Sequence, residues 1–206
     1  PFSPNYTVKG ASSAGEVIFG IARELESRGA IKMNKRIAER LYAAISSDTG
    51  GFVFSNAAAD TYRNAAELIE YGIDHADINH KLFMSKTPEQ ISAEGLVASK
   101  VKRSAQGKIA YAVISREDME SIGLTSADFD CGIDVVRSIM GVEIAFIVKE
   151  TERGFKASLR SVGANVAEIA AKHGGGGHIR ASGCNVEAKS VDEAAEILLA
   201  DLAEHV

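Results

Sequence analysis

The sequence predicts an α/β protein with two lobes: a mostly helical lobe over residues 1–85, a connecting helix over 86–106, and an α+β domain with a mixed sheet over 107–206. Two observations support this division. Apolar residues recur at helical spacing through the first half, and polar residues suited to capping precede the stripes. After Gly107 the pattern changes to short apolar or alternating runs, which are typical of strands.

The first lobe is predicted to contain four helical segments. Ser13 with Glu16 forms a capping box for the first helix, and Asn34 caps the second. A third helix is predicted over about 60–71, and a fourth around 78–83. The spacing of the apolar residues indicates that each helix buries one face.

The connecting helix has a strong start signal. The segment Thr87-Pro88-Glu89-Gln90 offers a capping threonine, a proline in the first turn and a glutamine that can reach back to the cap. We expect this helix to run to about Arg103, because basic residues suit the negative end of a helix dipole.

The second lobe has four predicted strands and a final helix capped by Ser190. A continuous apolar run is typical of a strand buried on both faces, and two runs that flank Glu152-Arg153-Gly154 predict a hairpin. The predicted strands are Ile109–Ser115, Val142–Lys149, Phe155–Ser161 and Ile179–Val186.

The most unusual feature of the chain is a run of four glycines, Gly174–Gly177, followed directly by His178. Glycines free the backbone to bend, and they expose peptide N–H groups that can surround an anion. Arg160 lies close by in sequence and offers a planar set of donors suited to phosphate. His178 can donate to a phosphate or take part in proton transfer. Together these residues predict a phosphate-binding pocket.

A structural explanation of the same residues stays open. A glycine run is often a flexible loop or a helix end, and an arginine on a strand is often simply solvated. Val166, Ile169, Ala170 and His173 recur at helical spacing, so the run follows a short helix. One glycine suffices to cap a helix, and four cost ordering entropy that a cap does not require, which favours binding.

Charge is distributed unevenly around these residues. The formal net charge of −5 argues against broad binding of long duplex nucleic acid. Residues 149–180 nevertheless carry six Lys or Arg against three acids, whereas residues 181–206 carry one Lys against six acids. Alternation in the third predicted strand also places Lys156, Ser158 and Arg160 on one face. Positive charge therefore gathers where a small anionic ligand is expected, although a solvated hairpin gives the same distribution.

Composition excludes several classes of protein. The sequence has no apolar run of membrane-spanning length and no signal-peptide pattern, so a cytoplasmic protein without membrane contact is expected. Cys131 and Cys184 lie far apart and outside metal-ligand spacing, which predicts reduced core residues. The chain opens with Pro1-Phe2-Ser3-Pro4 and no initiator methionine, and we expect it to be the C-terminal portion of something longer.

Asp48 lies just past the second predicted helix and before Gly50 and Gly51. A carboxylate there is suited to Mg²⁺ or Mn²⁺, which prefer oxygen ligands. Alternatively, Asp48 stabilises the turn through its own backbone, and the residues alone favour this second explanation. One carboxylate cannot hold the pair of metal ions that two-metal phosphoryl chemistry needs.

Two segments taken together, SLRSVGANVAEIAAKHGGGGHIRASG and ISSDTGGFVFSN, resemble the DHH-family phosphoesterases, and among them the nano-RNase and phosphoadenosine-phosphate phosphatase group. The likeness runs through nearly the whole chain, and the two elements are specific only in combination. It implies that residues 1–85 are the C-terminal part of a DHH lobe and that residues 107–206 are a DHH-associated, substrate-binding domain.

The resemblance also implies roles for particular residues. Asp48 matches a ligand of a divalent metal pair, usually manganese. Arg160 and Ser161 match the residues that hold the substrate. Gly174–Gly177 match the loop that binds the phosphate end of the substrate together with His178, which is also expected to be catalytic. The implied partner is short single-stranded RNA or a nucleotide, and a homodimer is compatible with the resemblance.

One departure limits these implications. The first two aspartate motifs of the family and its Asp-His-His are absent from this sequence. We therefore expect the intact protein to hydrolyse short oligoribonucleotides, nucleoside 3′,5′-bisphosphates or both, and this chain alone to hydrolyse little or nothing. The alternatives are a non-catalytic nucleotide-binding module, or a related exonuclease, polyphosphatase or cyclic-dinucleotide phosphodiesterase.

Overall fold

The computed structural model describes residues 8–205, so the opening segment Pro1-Phe2-Ser3-Pro4 and Val206 lie outside the described residues. The chain separates into two compact units, one up to Ser85 and one from Lys86 onward. Each unit has apolar core residues of its own.

The first unit is helical. Ser13 and Asn34 cap its first two helices through their side chains, as the sequence predicts. Its core includes Phe19, Ile45 and Leu68, which are fully buried. The helices are α1 (Ala14–Ser27), α2 (Lys35–Asp48), α3 (Ala59–Glu70) and α4 (His75–Asn79), and a π-helical turn (His80–Met84) follows α4.

Glu16 plays a different part from the one predicted. Its carboxylate does not close a capping box on Ser13; it accepts hydrogen bonds from the Ser12 N–H and hydroxyl at 2.7 and 2.8 Å. Asn64 and Thr61 on α3 also donate to it, at 2.7 and 3.4 Å. Burial by itself would raise the pKa of Glu16, but these hydrogen bonds lower it overall. The buried carboxylate therefore ties the start of α1 to α3.

The second unit is built on a six-stranded mixed sheet in the order β1-β2-β3-β4-β6-β5. Strands β2 and β3 run parallel, and every other neighbouring pair in the sheet is antiparallel. The mixed sheet and the α/β class are as predicted. The strands are β1 (Lys102–Ser104), β2 (Ile109–Ile114), β3 (Ile144–Thr151), β4 (Gly154–Ser161), β5 (Gly176–His178) and β6 (Ala181–Val186).

Helices cover the two faces of this sheet unequally. On one face α8 and α9 pack over all the long strands, with Phe146 and Leu159 fully buried beneath them. On the other face α5 and α7 pack against the small or branched residues of β2 and β3, such as Ala145 and Ile147. The helices of this unit are α5 (Pro88–Ser99), α6 (Arg116–Ser121), α7 (Gly132–Arg137), α8 (Val166–Lys172) and α9 (Val191–Leu202).

The connecting helix is shorter than predicted. Its start is confirmed, because Thr87 and Gln90 form the complete capping box. It ends at Ser99 rather than near Arg103, since Lys102–Ser104 pairs with β2 as strand β1. Ala105 and Gln106 adopt left-handed backbone conformations, which turn the chain back into β2. Strand pairing has overridden the local helical preference here.

Two further differences concern the glycine run and the segment between β2 and β3. The predicted strand Ile179–Val186 begins only at Ala181, and part of the glycine run forms strand β5 instead. Helices α6 and α7, with a 3₁₀ turn over Ser126–Cys131 between them, were not predicted because each is too short to show a clear apolar period.

Candidate phosphate-binding site

The glycine run begins as the C-terminal cap of α8. The N–H of Gly174 donates to the carbonyl of Ala171 at 3.0 Å, and the N–H of Gly175 donates to the carbonyl of Ala170 at 2.8 Å. With Gly174 in a left-handed conformation at φ +68°, these bonds form a Schellman motif. The first glycine is thus explained by helix capping alone.

Close packing on β6 explains two more of the glycines. A Cβ atom on Gly175 would lie 2.2 Å from the carbonyl oxygen of Gly183, and one on Gly177 would lie 2.5 Å from that of Ala181. Gly177 also has φ +144°, which side chains disfavour. A Cβ on Gly176, by contrast, would meet nothing within 4 Å. Helix capping or close packing therefore explains why three of the four positions are glycine. The close packing also holds the exposed peptide groups of the run against β6.

Strand register brings Arg160 and His178 into one row across the sheet. Ala181 on β6 pairs with Arg160 of β4 on one side and with His178 of β5 on the other. Directly paired residues point to the same face of a sheet, so the three side chains share a face. With neighbouring strands about 4.8 Å apart, the backbones of Arg160 and His178 lie about 10 Å apart. The small methyl group of Ala181 leaves the space between the guanidinium and the imidazole open.

The alternation predicted for β4 is confirmed. Ala157 and Leu159 are fully buried beneath α8 and α9, while Lys156, Ser158 and Arg160 point to the other face and are exposed or half-buried. One row along from Arg160, Ser158 pairs with Gly183, which carries no side chain. Ser158 therefore presents a hydroxyl on the same face as Arg160. The sequence did not identify Ser158 as a candidate binding residue, although the alternation of β4 already placed it on this face.

The side chain of Ser161 is engaged elsewhere. By strand alternation it points to the face opposite Arg160, and its hydroxyl donates to the carbonyl of Ala164 in the turn before α8. Its N–H donates to the carbonyl of Arg180 at 3.1 Å. The structure thus brings Arg160, the glycines and His178 together on one side of the sheet and leaves the Ser161 side chain on the other.

The electrostatic surroundings of Arg160 include two side chains of α7. Burial lowers the pKa of the Arg160 guanidinium, the carboxylate of Asp134 raises it, and the positive charge of Arg137 lowers it. Asp134 and Arg137 also form an ion pair with each other at 3.7 Å. Arg160 remains a cation near neutral pH, because arginine titrates far above that range. An anion beside Arg160 would be attracted by both guanidinium groups and repelled by the carboxylate of Asp134.

A histidine–aspartate pair anchors the glycine run from the other side. His173 Nε2 lies 2.8 Å from Asp201 Oδ2 on α9, and Lys172 Nζ lies 3.3 Å from the other carboxylate oxygen. Burial by itself would raise the pKa of Asp201, and the hydrogen bonds from His173 and Lys172 lower it overall. Because His173 is the last residue before Gly174, this pair holds the start of the glycine run against α9.

Asp48 is the last residue of α2, and its side chain is exposed. The turn after it is stabilised by other groups: Thr49 Oγ1 donates to the carbonyl of Ile45 at 2.7 Å and accepts from the N–H of Phe52 at 3.2 Å. Asn56 Nδ2 donates to the backbone carbonyl of Asp48 at 3.1 Å. Within residues 8–205 the Asp48 carboxylate itself has no hydrogen-bond partner. Its side chain is therefore free to bind a cation.

Comparisons with known proteins identify a domain within the second unit and relatives of the chain. Residues 106–204 match the family model described as the DHHA1 domain, which spans most of the second unit. The protein named bifunctional oligoribonuclease and PAP phosphatase NrnA from Bacillus subtilis (strain 168) is 32% identical over 93% of this chain and 59% of its own length. The protein of the same name from Thermus thermophilus is 31% identical over 82% of this chain and 51% of its own length.

A solved structure is similar as well. An exopolyphosphatase-related protein from Bacteroides fragilis has a TM-score of 0.84 and 26% sequence identity, covering 95% of this chain and 58% of its own. The chain thus spans between 51% and 59% of the lengths of these three proteins. The resemblance to the DHH family is confirmed.

Two further properties of the described residues concern metal binding and membranes. Over 8–205, no three His, Cys, Asp or Glu side chains come together in a way that would hold a metal ion. In the same part of the chain, no helix has both the length and the apolar character needed to cross a lipid bilayer. Both cysteines are free thiols; Cys184 is buried, as predicted, and Cys131 is half-buried.

Proposed function

We propose that this chain is the substrate-binding part of a metal-dependent phosphoesterase that hydrolyses short oligoribonucleotides, nucleoside 3′,5′-bisphosphates or both. The observation that carries the proposal is the row formed by Arg160, Ala181 and His178 beside the glycine run. The relatives named NrnA, at 31–32% identity, are named for these two activities, which supports the choice of substrate.

The proposed role of the row is to hold the terminal phosphate of the substrate. Arg160 Nη1 donates to the carbonyl of Leu159 at 2.9 Å, and in our proposal the remaining N–H groups of this charged guanidinium donate to the phosphate. His178 supplies a further donor from the opposite side of Ala181. The peptide groups of the exposed glycines line the same edge of the sheet. A phosphate held on both sides is oriented before reaction, and we assign His178 to the reaction as a group that can transfer a proton.

The resemblance implicates Ser161 in substrate binding, and the structure suggests how two serines divide this role. The Ser161 hydroxyl stabilises the turn before α8, so in our proposal it supports the site indirectly. Ser158 lies on the face of Arg160 and is positioned to donate to a phosphate oxygen or a ribose hydroxyl. Binding measurements on Ser158→Ala and Ser161→Ala distinguish these roles, because only the former should weaken binding at unchanged stability.

For the metal, we propose that Asp48 provides one ligand to a divalent ion, with Mn²⁺ as the preferred species. Its exposed carboxylate, without a hydrogen-bond partner in the described residues, fits a hard cation that prefers oxygen. Bound divalent ions supply a water activated for attack on phosphorus. Since the described residues hold no further ligand cluster, we propose that this chain alone binds substrate without hydrolysing it.

Calorimetric titration of the 206-residue chain with adenosine 3′,5′-bisphosphate tests the pocket. Arg160→Ala and His178→Ala should each weaken binding roughly 10- to 100-fold, as expected for the loss of a charge-assisted hydrogen bond. Arg153→Ala, which removes an exposed arginine from the turn between β3 and β4, is the matched control and should bind normally. Equal affinities in all four proteins would remove the case for the pocket.

Two finer points complete the proposal. We propose a cytoplasmic location, supported by the free thiols of Cys131 and Cys184. We also propose that a protein of the relatives' full length that contains this chain is a homodimer. Sedimentation velocity would test this by measuring its mass in solution.

A further inference from the structure

A second basic surface lies in the first unit, at the start of α2. Its four cations, here called the α2 basic cluster, are exposed, and none of them forms an ion pair or a side-chain hydrogen bond within the described residues. The helices and turns of the same unit carry five other cations, and four of these contact a carboxylate within 4 Å. The fifth, Lys9, is a single exposed cation in the turn before α1 and has no ion pair within the described residues. The cluster consists of Lys32, Lys35, Arg36 and Arg40; the paired cations are Arg23, Arg28, Arg63 and Lys81.

The placement of these charges works against the stability of the helix. The N-terminus of a helix carries a partial positive charge, so cations there are unfavourable. Arg36 and Arg40 lie one turn apart on the same face and repel each other. The first turn of α2 contains no acid, whereas α1, α3, α5 and α9 each have at least one in that position. Glu39, the one acid within the segment 32–40, lies beyond 4 Å of all four cations.

The α2 basic cluster borders an open depression. Arg36 and Arg40 line an open depression of about 460 Å³ together with Asn34, Ile37 and Leu41. Asn34 Oδ1 is occupied by the N–H of Ile37, so it serves the helix cap. The two arginine side chains therefore border the depression together with apolar side chains. A cluster of like charges that lowers the stability of its own helix and has no neighbouring carboxylate is typical of a binding surface.

We infer that the α2 basic cluster contacts the phosphate backbone of short single-stranded RNA. This inference rests on the proposed function, because the proposed substrate is a short oligoribonucleotide. Arginine and lysine contacts to phosphate position a nucleic acid without reading its sequence. A membrane surface is a poorer match, since the apolar face of α2 (Ala38, Leu41 and Ile45) is buried in the core and cannot insert into lipid.

Fluorescence anisotropy with a labelled adenosine pentanucleotide tests the inference. We expect Arg36→Gln/Arg40→Gln to weaken pentanucleotide binding by the 206-residue chain about fivefold or more near 100 mM salt. The plot of log affinity against log salt concentration should become less steep by about 1.4, that is about 0.7 for each lost phosphate contact on a single strand. Affinity for adenosine 3′,5′-bisphosphate should stay unchanged. The melting temperature should be equal or higher, because two repelling charges are gone.

Lys81→Gln is the matched control, because it removes one cation of the same unit that is already paired with Asp77 at 2.6 Å. An unchanged salt slope in the double variant overturns the inference, and so does a loss of bisphosphate binding equal to the loss of pentanucleotide binding. Retention of RNA binding together with a lost interaction with an acidic protein or an anionic vesicle also overturns it. If the unaltered chain binds neither ligand, the proposed function itself fails; if it binds the bisphosphate alone, only the RNA surface fails.

Discussion

Two glycine-containing segments, one after α2 and one after α8, both follow a helix that ends in a left-handed glycine, but they are held in different ways. After α2, Gly50 and Gly51 have φ values of +57° and +67° and lie under aromatic rings: that of Phe54 covers the first and that of Phe83 the second. After α8, the backbone of β6 itself lies against the glycines.

The consequence for function follows from this difference. A segment paired with a strand has a defined register, so His178 is placed opposite Ala181 and in the row of Arg160. A segment covered by side chains leaves its preceding carboxylate, Asp48, exposed and without a partner in the described residues. In the proposed function, the segment after α8 is preorganised to bind an anion by itself, whereas the segment after α2 offers a single metal ligand that needs others.

The largest expected effect breaks the backbone contact of the α8 segment. Gly175→Ala would place a methyl group 2.2 Å from the carbonyl oxygen of Gly183, so β5 or β6 must shift. We expect the free energy of unfolding to fall by about 3 kcal/mol, as for an overpacked core. Urea unfolding followed by circular dichroism measures this change.

Two other glycines sharpen the same comparison. Gly176→Ala should change the free energy of unfolding by no more than about 0.5 kcal/mol, because a Cβ there meets nothing within 4 Å. Gly50→Ala should cost about 1–2 kcal/mol for its left-handed conformation, since the ring of Phe54 that it meets is a side chain and can move aside. Similar losses at Gly175 and Gly176 would contradict the packing argument.

The second effect concerns Glu16, which holds the first unit together. Glu16→Gln replaces an ionised acceptor of hydrogen bonds from Ser12, Thr61 and Asn64, and should cost about 1–3 kcal/mol. The folded pKa of Glu16 is lowered, so its contribution is fully present above the unfolded value of 4.5 and is lost as pH falls through the folded value. Unfolding measured between pH 7 and pH 3 should therefore show a steeper loss in the original chain than in the variant.

How far the sequence predicts this fold depends on whether an element carries its own pattern. Strands β2, β3 and β4 were predicted because apolar runs or alternation record their burial. Strands β1 and β5 were missed because one is a short polar segment and the other is mostly glycine. Their pairing is decided by neighbouring strands, which a local pattern cannot show.

In the candidate site, too, features with a local sequence pattern could be predicted, and features set by strand pairing could not. The alternation of β4 already placed Arg160 away from the core. The row through Ala181 requires the register of β5 on β6, and a glycine-rich strand has no apolar pattern from which to read a register. The entropy argument for four glycines was incomplete, since capping and close packing account for Gly174, Gly175 and Gly177. Only the structure shows that this segment is exposed, and its exposure supports a role in binding.

A third, smaller effect tests the anchor of the glycine run. Asp201→Asn removes the charged partner of His173 and should cost about 1 kcal/mol, with a severalfold loss of bisphosphate affinity because the start of the run is no longer held against α9. Lys172→Ala breaks the more exposed contact to the same carboxylate and should change stability by less than about 0.5 kcal/mol. Calorimetric titration and urea unfolding of both variants check this; equal behaviour of the two would contradict the anchor.

The smallest effect on stability should come from Asp48, and this sets the second glycine segment apart from the first. The carboxylate has no hydrogen-bond partner in residues 8–205, so Asp48→Asn should change the free energy of unfolding by less than about 0.5 kcal/mol. In a protein of the relatives' full length that contains this chain, the same change should lower Mn²⁺-dependent hydrolysis of adenosine 3′,5′-bisphosphate at least about 100-fold, because a metal ligand is lost. Asp60→Asn, which alters an exposed carboxylate paired with Arg63, controls for charge and should leave hydrolysis unchanged. Full activity of Asp48→Asn would exclude Asp48 as a metal ligand, and the turn would remain stabilised by Thr49 and Asn56.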